Sequence, residues 1–171
     1  TYPHEKLLLT EIDNANDPVY GLNSLPKFLQ PYPDSFEYEL KLLKITLHNY
    51  LENTLLVNPR KDHWLLDGIQ IYYLIKYVEE YHPDMKFLGA LADFWGVRSF
   101  HASDLHYNEK YALAYMSMAR TNRDQPITMQ KDSLLKFNSN IANKYKAGIG
   151  LKYLDDFINH DVLEHAIKPF L

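Results

Sequence analysis

Cysteine is absent from the 171 residues, which excludes a disulfide scaffold, a thiolate zinc site and a cysteine nucleophile. Glycine is scarce, at six residues. None lies in a phosphate-cradling loop or a dinucleotide fingerprint, and no G-x-S-x-G elbow presents a serine. An excess of one charge is also missing. Eighteen basic against 22 acidic residues leave a net charge of −4, which provides no footprint for a nucleic-acid partner. No apolar run approaches the roughly 20 residues of a membrane span, and no signal-peptide pattern is present. The chain opens on Thr1 rather than Met, so it reads as a piece of a longer polypeptide. With 46% hydrophobic and 14% aromatic residues it is too apolar for disorder. It is also long enough for one domain whose core needs no covalent staples.

Residues 1–34 form a loop-rich entry. Leu7-Leu8-Leu9-Thr10 suggests at most one short strand, and Asp17-Pro18, Gly21, Pro26, Pro31 and Pro33 follow, so no helix runs far there. From residue 35 to 171 the pattern is helical. Asp34 and Glu37 stand in capping-box register. Phe36, Leu40, Leu43, Leu47, Tyr50, Leu51 and Leu55 then recur at spacings of three and four until Asn58-Pro59, the stripe of a half-buried helix. A second helix is expected from about Trp64 to Tyr81, apolar on much of its surface and stopped by His82-Pro83. A short helix over Phe87–Trp95 closed by Gly96 is expected next, and then one from about Asn108 to Ala119. Stretches over 132–145, 147–158 and 161–168 complete the set, the last with Asp161 and Glu164 in capping-box register. The expected fold is mainly α, a single helical domain.

Two polar residues sit where packing alone would not put them. His48 lies on the first long helix. Asp67 lies in Trp64-Leu65-Leu66-Asp67-Gly68 near the start of the second, where an acid and a glycine are both costly in an apolar helical run. The bland account makes His48 a satisfied helix histidine and Asp67 a carboxylate facing the helix dipole.

The same residues resemble a family. Trp64-Leu65-Leu66-Asp67-Gly68 is similar to the W-L-x-E-G segment of gluzincin zinc aminopeptidases, the aminopeptidase N group, with Asp in place of Glu. In that family H-E-x-x-H is followed by 18 residues and then this Glu. Counting back over residues 49–66 lands on His48, and His48-Asn49-Tyr50-Leu51-Glu52-Asn53 resembles the family's H-Q-W-F-G-N. Tyr145-Lys146-Ala147-Gly148 is similar to Y-E-K-G, which implies for Tyr145 the position of the tyrosine that stabilises the oxyanion. Tyr20-Gly21-Leu22-Asn23 is a weak echo of the G-x-M-E-N loop and lacks its acidic residue. The resemblance implies the helical part of a thermolysin-like catalytic domain without the family's amino-terminal β domain.

The departures bear on function. The resemblance puts the first zinc histidine at position 44 and the general base at 45, but the chain reads Lys44-Ile45-Thr46-Leu47-His48. An ammonium repels a divalent ion, and isoleucine cannot take a proton from metal-bound water. His48 and Asp67 are thus vestigial metal-ligand positions, Tyr145 is a vestigial catalytic one, and Lys44 and Ile45 are substituted. No cofactor is expected in this chain, although zinc serves the family. The expected arrangement has Lys44 near Asp67, taking over the ion's electrostatic role. The reading that follows is an inactive aminopeptidase-like segment whose old cleft binds a peptide or protein, alongside the rest of the parent polypeptide. An active zinc aminopeptidase with non-standard ligands and a plain helical interaction domain are the competing readings.

The remaining candidates have bland explanations. His101 and His106 flank a loop without a third ligand, and His160 and His165 read as surface residues. Glu79-Glu80 reads as a solvated patch and Met116 and Met118 as core filler. The 14 tyrosines read as helix packing with hydroxyls at the rim.

Overall fold

The computed structural model describes residues 6, 10–16, 19, 30–93, 102–158 and 160–167. Over these residues the chain is mainly helical: α1 (Glu11–Asn16), α2 (Asp34–Thr54), α3 (His63–Tyr81), α4 (Glu109–Ala119), α5 (Asn143–Ile158) and α6 (His160–Ile167). The only β pairing among them is an isolated antiparallel bridge between Lys86 and His106. The possible strand at Leu7–Leu9 lies outside the described residues, as do the Tyr20–Asn23 echo, His101 and the Gly96 cap. No helix among the described residues is long and apolar enough to cross a membrane.

The long helices form where the stripes predict them, but their ends differ. α2 starts without a capping box: Pro33 is its cap residue in extended conformation, and no side chain closes the first turn. Proline's fixed φ already sets the chain direction there, and the Pro33 carbonyl accepts the Glu37 amide at 3.1 Å. α2 also ends four residues before Asn58. Leu55 turns to extended backbone because its side chain is buried beside Leu51, Ile69 and Ile167, which a further helical turn would not allow. The Asp161 and Glu164 side chains lie outside the described residues.

Three expected helices are corrected. Of the helix expected over Phe87–Trp95, the described residues 87–93 hold a single 3-10 turn instead, Gly89–Asp93. The Phe87 amide is drawn to the Leu105 carbonyl at 2.8 Å, and Gly89 takes a φ of +50° against the Pro31 carbonyl, where a side chain would collide. The stretches 132–145 and 147–158 are not two helices split near 146. Lys131–Ser133 is a short 3-10 turn. A π-helical turn, Asn138–Ala142, then runs into α5 without a break. The buried Asn138 pins that turn by donating from Nδ2 to the Arg123 carbonyl and to Gln125 Oε1, both at 2.8 Å.

α3 is the centre of the domain, packed on α2 along one side and on α5 along the other. One cluster joins Phe36 and Leu40 of α2, Ile71, Leu74, Ile75 and Val78 of α3, Tyr107 and Tyr111 at the head of α4, and Tyr145 of α5. A second joins Leu51, Leu55, Ile69, Tyr72, Leu163 and Ile167. Each fully buried side chain of this kind contributes roughly 1.5–3 kcal/mol. The closest approach is α3 to α5. A Cβ on Gly68 would stand 2.9 Å from Ala147 Cβ, and one on Gly148 about 2.5 Å from Ile71 Cβ. Small residues on both helices therefore fix their register, and one turn before Ala147 and Gly148 on α5 stands Lys144.

Candidate functional site

α2, α3 and the π-turn leading into α5 enclose a cavity of about 290 Å³ bordered by His48, Glu52, His63, Asp67, Gln70, Lys131, Ser139, Asn140 and Lys144, with apolar walls from Leu51, Pro59 and Leu66. His48 and Asp67 thus face one space. Tyr145 is not among its lining residues. It is buried, edge-on to Tyr111 at 4.8 Å between ring centres, beside a much smaller void shared with Lys44, Lys110 and Lys144.

The cation against Asp67 is not the expected one. Lys144 Nζ stands 3.2 Å from Asp67 Oδ1, and both side chains are largely withdrawn from water. Lys44, also buried and one turn before His48 on α2, borders two neighbouring small voids instead, one with Asp13, Ile45 and His48 and one with Tyr145, Lys110 and Lys144. The α3–α5 register explains the exchange. The same close contact that seats Ala147 on Gly68 presents the residue three positions earlier to Asp67. What reaches Asp67 from α2 is indirect: Gln70 donates from Nε2 to the Lys44 carbonyl at 3.0 Å, tying the two helices at this level.

His48 itself is half-exposed, with Nε2 at 3.2 Å from Glu52 Oε1 one turn along. Asp67 keeps its second oxygen, Oδ2, buried and without a hydrogen bond. A zinc site needs three or four nitrogen or oxygen ligands converging at roughly 2.0–2.2 Å. With an ammonium already on Oδ1, and no three His, Asp or Glu side chains among the described residues grouped to share an ion, the side chains present do not fit zinc.

His63 is the residue the periodicity did not single out. It is the first residue of α3, only 2% exposed, with both ring nitrogens closed off from water and the Arg60 carbonyl as the partner within reach of the ring. It is shielded from solvent yet sits at the edge of the packed interior, because the cavity opens in front of it. Burial pushes its pKa below the ordinary 6.5. Asp67 opposes that shift, Lys131 reinforces it, the nearby Arg60 carbonyl opposes it, and Lys144 reinforces it. A usable signal was its spacing: four residues before Asp67 places it on the same face of α3.

The other candidates fall into place as follows. His106 lies apart from this cavity, with Nδ1 3.1 Å from the Pro83 carbonyl. Glu79 and Glu80 are exposed, and Glu79 pairs with Lys152 at 3.4 Å. His165 is exposed on α6. Met116 is exposed rather than core filler, because α4 turns that face outward once Tyr107 and Tyr111 have taken the inner positions. Many tyrosines are core residues, with Tyr72, Tyr107 and Tyr111 fully buried, so packing accounts for them further inside than the rim. Burial pushes the Tyr107 and Tyr111 hydroxyls well above their ordinary pKa and Lys110, over the Tyr107 ring at 3.6 Å, well below its own.

Compared with known proteins, the chain matches no family model, no curated protein and no solved structure.

Proposed function

We propose that this chain is a non-hydrolysing relative of the gluzincin aminopeptidases that keeps the pocket between α2, α3 and α5 as a binding cleft for a peptide. The observation that supports the reading is that His48 and Asp67, separated by the family's 18-residue spacing, border one cavity in which the Lys144 ammonium stands against Asp67. Hydrolysis needs an activated water and a base to take its proton, and Ile45 offers none. What the residues can do is bind. The His48 and His63 rings, Glu52 and Asp67 give polar walls, Lys131 and Lys144 supply cations, and Leu51, Pro59 and Leu66 give an apolar floor.

The test has two parts. Amino-acid anilides incubated with the protein and added zinc should show no turnover beyond the buffer rate. A mixed peptide pool titrated into isotopically labelled protein should move the amide signals of residues 63–67 and 139–144. Hydrolysis that a chelator stops would replace this reading with that of an active zinc aminopeptidase using other ligands. Peptide shifts confined to the exposed apolar face of α5 and α6 (Tyr153, Leu154, Phe157 and Val162) would favour a helical interaction domain.

A further inference from the structure

We infer that the outer face of α5 docks on a second copy of this chain, α5 against α5, antiparallel about a two-fold axis. The face lies at the far end of α5 from Lys144 and the pocket it borders, so the inference does not rest on that pocket.

The packing of α5 singles the face out. Gly148 lies against Ile71, Leu151 joins the second core cluster, and Asp155 is buried and paired with Lys76 of α3 at 3.3 Å. With these turned inward, Tyr153 and Phe157 form one i, i+4 row on the outside and Leu154 and Ile158 the next. A helix on the surface of a domain ordinarily carries polar residues there. Instead Tyr153 is 68% exposed, Phe157 78%, Leu154 45% and Ile158 38%, and Val162 in the first turn of α6 is 53% exposed. The Tyr153 and Phe157 rings lie parallel, within 13° and 6.3 Å between centres, and so present one ordered aromatic surface.

Area separates an interface from stray apolar residues. With roughly 200 Å² for a whole aromatic side chain and somewhat less for an aliphatic one, these five residues leave about 500 Å² of apolar surface in water at the exposures given. That is the upper end of what a monomer shows. A standard interface takes about 800 Å² from each partner, roughly 60% of it apolar, so about 500 Å² of apolar surface per copy is what a stable dimer needs.

A two-fold contact requires the patch to complement itself, residue i meeting j and j meeting i. With the axis level with Asp155, Tyr153 lies over the partner's Phe157, and Phe157 over the partner's Tyr153, which gathers four rings at the centre. The same register brings Lys152 beside the partner's Asp156 along the rim. Within one chain Lys152 already pairs with Asp156 and, at 3.4 Å, with Glu79, so a cation and an anion stand together at this edge. Each copy thus offers the charge that the other lacks.

The experiment is sedimentation equilibrium of the 171-residue chain and of four variants, with circular dichroism confirming that each is folded. A monomer–dimer equilibrium is expected, with a dissociation constant on the order of micromolar. Phe157→Glu, at an exposed position, should weaken it at least about tenfold. Leu56→Glu, at an exposed position on the connection between α2 and α3, should leave it unchanged. Lys152→Glu and Asp156→Lys each set like charges across the axis and should each weaken association about tenfold. An equimolar mixture of those two should associate to within about threefold of the parent, because each then meets its opposite. The inference is overturned by a monomeric mass up to several hundred micromolar, or by a mass that keeps rising past the dimer, since a two-fold contact closes. It is equally overturned by a dimer that Phe157→Glu leaves intact, by Leu56→Glu weakening it as much, or by a charge-swapped mixture no tighter than its components.

Discussion

Replacing Gly148 by alanine tests the contact that organises both the core and the site. An isolated helix gains about 1 kcal/mol from such a change. Here the new methyl would stand about 2.5 Å from Ile71 Cβ and 3.3 Å from the Tyr72 backbone nitrogen. A flexible side-chain end could swing aside, but Ile71 is 3% exposed and the atom struck is its branch point, so α3 and α5 must separate. Overpacking of a close-packed interior costs typically 1–3 kcal/mol, and the rigidity of the target argues for the upper end. The net loss is then about 2 kcal/mol. Gly150, two residues on, has open space where its Cβ would go, and Gly150→Ala should stabilise by about 0.5–1 kcal/mol. The two variants should therefore differ by about 3 kcal/mol in urea unfolding with similar m-values. Because the same contact aligns Lys144 with Asp67, Gly148→Ala should also shift the Asp67 and Lys144 side-chain resonances, and Gly150→Ala should leave them in place. Equal stability of the two variants would refute the close-packed register and, with it, the placement of the ion pair.

Other expectations follow from the same geometry. Asp67→Ala takes the carboxylate away from a largely buried ammonium and should cost about 3 kcal/mol, the low end for such pairs because water in the cavity can reach Lys144; adding Lys144→Met should recover most of it, and denaturant titration reads both. For His63 the folded-state pKa lies below 6.5, so between that value and 6.5 the unfolded chain binds the extra proton. Stability should fall as pH drops through this window and level off once the folded ring is protonated too. In His63→Gln the loss between neutral and mildly acidic pH should be smaller than in the parent, and an identical pH profile would contradict the buried, neutral ring. Lys110 has its pKa lowered by burial first and by Lys44 second. Lys44→Met should therefore move the Lys110 titration partway back toward its ordinary value, as followed by its Nζ resonance, whereas an unchanged titration would separate the two lysines.

Much of the fold was legible in the stripes. Phe36, Leu40 and Leu51 announce α2, and the apolar run from Trp64 announces α3 as central, because burial on one face or all round leaves its period in the residue order. The ends were less legible. Leu55 belongs to the apolar pattern whether it is helical or extended, and only its neighbours in the second core cluster select the extended form. The π-turn at Asn138–Ala142 was hidden for a similar reason: Asn138 looks like a loop residue until Arg123 and Gln125, distant in the chain, take both its hydrogens.

The site divides along the same line. Order along the chain was enough to put His48 on one helix and Asp67 on the next, and to show that positions 44 and 45 carry no zinc ligand and no base, because these are statements about residue type and local spacing. Which ammonium meets Asp67 was decided only by how α5 lies on α3, through Gly68 against Ala147 and Gly148 against Ile71, and that docking chose Lys144 over Lys44. The burial of the His63 ring was decided the same way. What packs around a side chain comes from elements far away in the chain, and no local pattern records which.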